Sequence, residues 1–167
     1  DAQGEFVSAG AGTRILELAE AGEFAFADVN HLGTVTTVTD SLERHLNAIL
    51  ALPMVDRVAI SKRKFRIAVD AVNSSGGIAV PLLLKALGVD DIIELYCDPT
   101  GDFPHNPEPL PEHLTEISKT VLKKKADLGI VVDPDVDRLA LVCEDGSMFG
   151  EEYTLVAVAD YVLKHRK

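Results

Sequence analysis

From Phe65 onward, apolar residues fall into short strand-like runs that alternate with longer helical stretches. Four runs have the length and β-branched content of buried strands: FRIAVD, DIIELYC, LGIVVD and LALVC. Three stretches show the three- and four-residue spacing of helices, at about 76–88, 113–126 and 151–165. Strands that alternate with helices form mostly parallel sheets through right-handed crossovers. This part of the chain therefore reads as an α/β domain.

The fourth strand-like run differs from the others in its connection. It follows the third after about five residues, which is too short for a crossover, so it should pair antiparallel with the third. We therefore predict an α/β fold built as three layers. Its mostly parallel sheet has about four strands, with one antiparallel edge strand and helices on both faces.

Two further helical patterns precede this region. The segment TRILELAEAG carries an apolar stripe, and Gly22 at its end is a plausible helix stop. Thr34–Thr39 is β-branched without alternation and reads as an extended linker. Asp40 then opens a second helix, because Glu43 stands three residues later and the two approximate a capping box.

Composition and charge narrow the classes of partner. The chain is 47% hydrophobic and 26% charged, which is typical of a globular protein. Its formal net charge of −11 argues against nucleic acid or an anionic membrane surface as a partner. A phosphorylated small molecule remains compatible with this charge, since one arginine and a metal ion can reverse the local field.

Several features bear on the compartment and on the ends of the chain. No apolar run approaches the roughly 20 residues that span a bilayer, and no signal peptide opens the sequence, so we expect a cytoplasmic protein. Cys97 and Cys143 stand in apolar runs without metal-ligand spacing and are predicted to be buried thiols. The chain starts at Asp1 and stops within a helical pattern, so we expect a longer parent protein.

The most informative segment is the acidic loop, residues 133–138, between the third and fourth strands. Asp133, Asp135 and Asp137 alternate, and Arg138 follows directly. Three adjacent carboxylates repel each other unless a cation lies among them, and so few oxygen ligands suit Mg²⁺. The loop also follows the carboxyl end of a buried strand, where open α/β sheets place their ligands. We predict that the three aspartates bind Mg²⁺ and that Arg138 grips a phosphate.

Three other interpretations compete for this loop. It could be an idle surface turn, although aspartates interleaved with Pro and Val between two apolar strands are unusual there. In an EF-hand that starts at Asp133, Glu144 would stand at position twelve, where a calcium ligand is required. Position six, however, must be glycine and is Arg138 here, and the segments on either side of the loop are predicted strands instead of helices. An aspartyl-phosphate phosphatase of the haloacid-dehalogenase type would use Asp133 as nucleophile and Asp135 as acid–base. That last interpretation stays open as the enzymatic alternative.

The acidic loop resembles a known family. DPDVDR between two apolar strands, followed by Gly150-Glu151 at a helix start, resembles the metal loop of the α-D-phosphohexomutases, which include phosphoglucomutases and phosphomannomutases. The resemblance extends over nearly the whole chain, through GEFVSAGAGTRILELAE, FRIAVDAVNSSGG and DGSMFGEEYTLVAVADYVL. It implies three segments: residues 1–35 as the tail of the catalytic-serine domain, 36–150 as the central metal-loop domain, and 151–167 as the start of a bridge to the next domain.

The resemblance also implies a mechanism. A phosphoserine of the parent protein would exchange its phosphoryl group with a hexose or pentose phosphate. Asp133, Asp135 and Asp137 would hold Mg²⁺, and Arg138 would stabilise the transferring group. The remaining domains of the parent would be partners of this one.

Two departures from the family pattern matter. Pro134 stands where many members carry glycine. In the tripeptide that most resembles the nucleophile segment, His105–Pro107, the preceding residue is Pro104, which has no hydroxyl. The nucleophile serine is therefore absent from this chain, and we expect the fragment alone to be inactive.

The sequence also predicts structural roles for two other segments, and it leaves open a function without catalysis. The segment His105–Pro107 reads as a rigid connector. Ser74 and Ser75 are expected to cap the following helix. The alternative from a different class of function is a complete metal- or phosphate-binding module without chemistry.

Overall fold

The computed structural model describes residues 1–22 and 24–165, which form two compact units, Asp1–Val38 and a second unit from Thr39 onward. Residue 23 and residues 166–167 of the predicted segments lie outside this description. In the first unit, helix α1 spans Ala9–Ala21 and a 3-10 turn spans Val29–His31. Gly22 ends α1 in the left-handed conformation at φ 65°, which confirms the predicted helix stop.

The second unit contains the strand and helix alternation that the sequence predicted. Its elements are α2 Ser41–Leu50, α3 Arg57–Arg63, β1 Arg66–Asp70, α4 Gly76–Ala86, β2 Asp91–Leu95, a 3-10 turn Pro111–His113, α5 Thr115–Lys124, β3 Leu128–Val132, β4 Leu139–Cys143 and α6 Glu151–His165. Over residues 1–22 and 24–165, none of the helices has the length and apolar character needed to cross a bilayer.

The four strands form one sheet in the order β2-β1-β3-β4. Strand β1 pairs in parallel with both β2 and β3, and β3 pairs antiparallel with β4. The antiparallel edge strand is thus confirmed, and its cause is the short β3–β4 connection. Because β1, β2 and β3 run in the same direction, their carboxyl ends and the loops that follow meet at one edge of the sheet.

Helices cover both faces of this sheet. Ala68 of β1 faces a core formed with Ile117 and Val121 of α5. Its neighbours in the strand, Ile67 and Val69, point to the opposite face and pack with Leu84 of α4. The predicted three-layer α/β architecture is therefore confirmed.

Some local predictions were wrong. Asp40 precedes α2 as predicted, but its side chain makes no capping hydrogen bond and instead pairs with Arg44 at 3.3 Å, so the capping box does not form. Helix α3 was not predicted, because its seven residues show less than two turns of periodicity.

Candidate metal centre

The acidic loop leaves the carboxyl end of β3 and turns back into β4. Asp133 follows the last residue of β3 and is buried, with 6% of its surface exposed, whereas Asp135 and Asp137 are exposed. One oxygen from each carboxylate lies within 4.8 Å of the other two. The structure therefore brings together the three aspartates that the sequence singled out.

The spacing of these oxygens suits a small divalent ion. Oxygens bound to one Mg²⁺ at about 2.1 Å can be at most about 4.2 Å apart. The observed limit of 4.8 Å is slightly larger, and rotation of the two exposed side chains, Asp135 and Asp137, can close the difference. The donor set of three carboxylates therefore fits Mg²⁺, with positions left for water or a phosphate oxygen.

Backbone and hydroxyl contacts fix the shape of the loop. The backbone N–H of Arg138 donates to Oδ1 of Asp133 at 3.1 Å. Ser75 donates to the carbonyl of Pro134 at 3.2 Å, and Ser74 donates to the carbonyls of Ala71 at 2.6 Å and Asp133 at 3.4 Å. The prediction that these serines cap α4 was wrong, because Ser75 at the N-cap makes no side-chain cap bond. Instead, both hydroxyls tie the start of α4 to the acidic loop.

The backbone at this edge of the sheet is strained. Val136 in the acidic loop has φ 62°, Val72 after β1 has φ 47°, and Tyr96 after β2 has φ 49°. Positive φ is a genuine outlier for β-branched or bulky residues, and it persists only where the surrounding structure imposes it. Three such residues follow three neighbouring strands, so the strain is concentrated at the edge of the sheet from which the acidic loop leaves.

The electrostatics of the loop reflect its crowded charges. The pKa of Asp137 is raised, because its carboxyl lies within hydrogen-bond distance of Asp133 and close to the charge of Asp135. Arg138 partly offsets this repulsion. Its Nε lies 3.9 Å from a carboxylate oxygen of Asp133 and 3.9 Å from one of Asp137. Its Nη1 lies 2.7 Å from Oε1 of Glu108, and that contact raises the pKa of Arg138.

The sequence did not predict the contacts that the loop after β2 makes at this edge. His105 Nε2 lies 3.1 Å from Oδ2 of Asp70, which is the last residue of β1 and is 1% exposed. Burial raises the pKa of Asp70. A signal for Asp70 was present, because FRIAVD and LGIVVD both end a buried strand on an aspartate. No comparable signal in the sequence pointed to Glu108.

A cavity of about 350 Å³ opens beside Arg138 and Glu108. It lies between the loop after β2 and strand β4, and its walls include Pro109, Leu139 and Met148. Arg138 therefore borders the acidic loop on one side and an open cavity on the other.

Cys97, just after β2, provides a chemical check on packing at this edge. Both cysteines are free thiols, and both are half-buried rather than buried as predicted. Partial burial, with the nearby carboxylates of Glu94 and Asp70, raises the pKa of Cys97 to about 11. We expect Cys97 to react with iodoacetamide at pH 8 on the order of a hundredfold more slowly than glutathione, because little thiolate is present. Mass spectrometry of a Cys143→Ser variant, which leaves Cys97 as its one thiol, measures this rate. Alkylation as fast as that of glutathione would contradict the burial described.

Fold and loop together define an α/β domain that carries a candidate metal-binding loop at the carboxyl edge of its sheet. The family model for phosphoglucomutase/phosphomannomutase, alpha/beta/alpha domain II, matches residues 43–146. The chain therefore belongs to the phosphoglucomutase/phosphomannomutase family, as the resemblance predicted.

Individual relatives agree with this assignment. The chain is 32% identical to the "Probable phosphoglucosamine mutase" of Methanopyrus kandleri over 146 residues, covering 87% of this chain and 31% of the relative. It is 33% identical to the phosphoglucomutase of Neisseria meningitidis over 151 residues, with 89% and 31% covered. A crystal structure of a phosphoglucomutase/phosphomannomutase family protein from Burkholderia thailandensis aligns with TM-score 0.72 at 25% identity, over 95% of this chain and 32% of that one. The chain spans about a third of the length of these relatives.

Proposed function

We propose that this chain supplies the Mg²⁺-binding loop of a phosphosugar mutase, an intramolecular phosphotransferase acting on sugar phosphates. The observation that carries the proposal is the convergence of Asp133, Asp135 and Asp137 within 4.8 Å, with Arg138 beside them. The names of the relatives support the reaction class, since they are mutases of phosphoglucose and phosphoglucosamine.

Each residue of the loop has a distinct role in this proposal. Asp133, buried and fixed by the N–H of Arg138, is the rigid ligand, while the exposed Asp135 and Asp137 adjust around the ion. The ion, when bound, supplies positive charge against the phosphate oxygens of a phosphoserine. Arg138 has five N–H donors in a planar fork and stabilises charge on the transferring phosphoryl group.

The rest of the machinery belongs to the parent protein. The nucleophile serine, and the domains on either side of residues 36–150, complete the site in this proposal. The isolated chain should therefore show no turnover, and at best weak metal binding, because three carboxylates without the phosphoserine oxygen form half a site. The substrate is a hexose or pentose phosphate, the protein acts in the cytoplasm, and neither nucleic acid nor a membrane takes part.

The proposal is tested by assaying the full-length parent protein with phosphates of glucose, mannose, glucosamine and ribose. We expect the phosphate to move between positions on at least one sugar, with no net release, and activity to disappear when EDTA removes Mg²⁺. Steady release of inorganic phosphate would instead favour the aspartyl-phosphate phosphatase. Metal or phosphate binding without any turnover would favour the non-catalytic module.

A further inference from the structure

We propose that Glu108 is a positioning residue for Arg138, holding its guanidinium out of hydrogen-bond contact with the metal-binding carboxylates and ready for phosphate. This inference rests on the proposed function above. It gives a role to the loop after β2, which the sequence suggested was only a connector.

The contact between Glu108 and Arg138 is the short one that fixes the guanidinium. The distance from Nη1 to Oε1 of Glu108 is 2.7 Å, within the range of a charge-assisted hydrogen bond. The distances from Nε to carboxylate oxygens of Asp133 and Asp137 are both 3.9 Å, within the range of an ion pair but beyond hydrogen-bond length. Since the Arg138 side chain is 54% exposed, packing alone does not immobilise it.

Glu108 is itself fixed by the segment that precedes it. The side-chain oxygen of Asn106 accepts the backbone N–H of Glu108 at 3.0 Å. The backbone N–H of Leu110 donates to the carbonyl of Glu108 at 2.8 Å. The backbone of Glu108 is therefore held on both sides, which places its carboxylate beside Arg138.

His105 anchors this segment to the end of the sheet. Its Nε2 contacts the buried carboxylate of Asp70 at 3.1 Å, and its Nδ1 contacts the carbonyl of Asn106 at 2.8 Å. A carbonyl oxygen only accepts, so Nδ1 carries a hydrogen, and the contact with Asp70 needs one more proton on either partner. A connected series of contacts thus runs from β1 through His105, Asn106 and Glu108 to Arg138.

The physical need for Glu108 comes from the charges around Arg138. Without a partner on the far side, the guanidinium would be drawn onto the carboxylates of the acidic loop, where it would compete with Mg²⁺. Glu108 occupies one N–H of the five, and the others remain available for a bidentate grip on phosphate. Glu108 therefore keeps Arg138 from competing with Mg²⁺ for the aspartates and orients the guanidinium of Arg138 toward phosphate.

The test is a double-mutant cycle in the full-length protein with Glu108→Gln, Arg138→Ala and the pair. We expect Glu108→Gln to lower kcat roughly ten- to a hundredfold, with a smaller change in KM, because Arg138 is misplaced. We also expect Mg²⁺ binding, measured by calorimetry without substrate, to weaken roughly three- to tenfold. Neither change should appear when Glu108→Gln is introduced into Arg138→Ala, since the partner is already gone.

Matched variants separate positioning from general damage. Glu112→Gln removes the same charge from an exposed side chain of the same segment and should leave kcat and Mg²⁺ binding unchanged. Glu108→Asp, which keeps the carboxylate, should recover part of the lost kcat. Additive effects of Glu108→Gln and Arg138→Ala, or no effect of Glu108→Gln while Arg138→Ala is impaired, would overturn the positioning role. Full activity in Arg138→Ala would overturn both the phosphate-stabilising role given to Arg138 and the positioning role of Glu108, while activity lost with Mg²⁺ removal would still support the proposed function.

Discussion

Replacing Gly77 with alanine is expected to lower the free energy of unfolding by about 3 kcal/mol, the upper range for forcing an extra methyl into a packed site. Gly77 is the second residue of α4 and lies directly against the backbone that follows β2. A Cβ there would lie 2.6 Å from the carbonyl carbon and 2.7 Å from the Cα of Cys97. Backbone atoms next to a sheet strand cannot rotate away, so helix and strand must separate.

The measurement is thermal or urea unfolding of the second unit, where about 3 kcal/mol corresponds to a fall in Tm of roughly 10 °C. Gly10 of the first unit is also the second residue of a helix, and a Cβ there meets nothing within 4 Å, so Gly10→Ala, followed by the unfolding of its own unit, isolates the effect of alanine at this helix position. Gly10→Ala should therefore be neutral or slightly stabilising. Gly76→Ala should fall between the two, since its Cβ meets the Val132 side chain at 2.5 Å. Stability of the second unit in Gly77→Ala equal to that of the unsubstituted protein would contradict the close approach.

The contrast among these glycines illustrates which parts of the fold the sequence could predict. Two adjacent glycines are visible in the sequence at the start of α4, but their need for space depends on Cys97 and Val132, which are distant in sequence. The antiparallel edge strand was predictable because a connection of about five residues leaves no alternative. The spacing of apolar residues predicts whether a segment is a helix or a strand, but it does not predict which other backbone segment the helix packs against.

The candidate site also contains residues that the sequence could predict and residues that it could not. Asp133, Asp135, Asp137 and Arg138 were predictable because they lie within one loop, whose spacing limits what they can do. Glu108 was not, because its contact with Arg138 joins two loops 30 residues apart. The serine caps were predicted wrongly for a related reason. A hydroxyl before a helix can bond the local backbone or donate across to another loop, and only the fold decides between them.

Strain at the sheet edge links the fold to the chemistry. Val136 at φ 62° stands between Asp135 and Asp137, and a valine has no intrinsic preference for that conformation. Ser75 and the N–H of Arg138 hold the loop on either side of this residue. The fold therefore keeps two exposed aspartates turned toward Asp133 despite their repulsion, which is the arrangement that a metal site requires before the ion arrives.

Replacing Asp135 with asparagine is expected to leave the metal-free protein stable and to weaken the metal-bound protein. Without Mg²⁺, the fold should keep its stability or gain slightly, because Asp135 is exposed and its charge raises the pKa of Asp137. With Mg²⁺, the stabilisation that a bound ion confers should be largely lost. Turnover of the full-length protein should fall roughly a thousandfold, as expected when several kcal/mol of metal-based charge stabilisation is removed.

This difference between the two conditions distinguishes loss of a ligand from unfolding, because a misfolded variant would be less stable in both. The measurements are Tm with EDTA, Tm with millimolar Mg²⁺, and kcat of the full-length protein. Asp90→Asn serves as the control, since it removes the same charge from an exposed residue beside the amino end of β2. It should leave the Mg²⁺-dependent rise in Tm intact. If Asp135→Asn keeps both the full Mg²⁺-dependent rise in Tm and the full kcat, the acidic loop has no part in the mechanism.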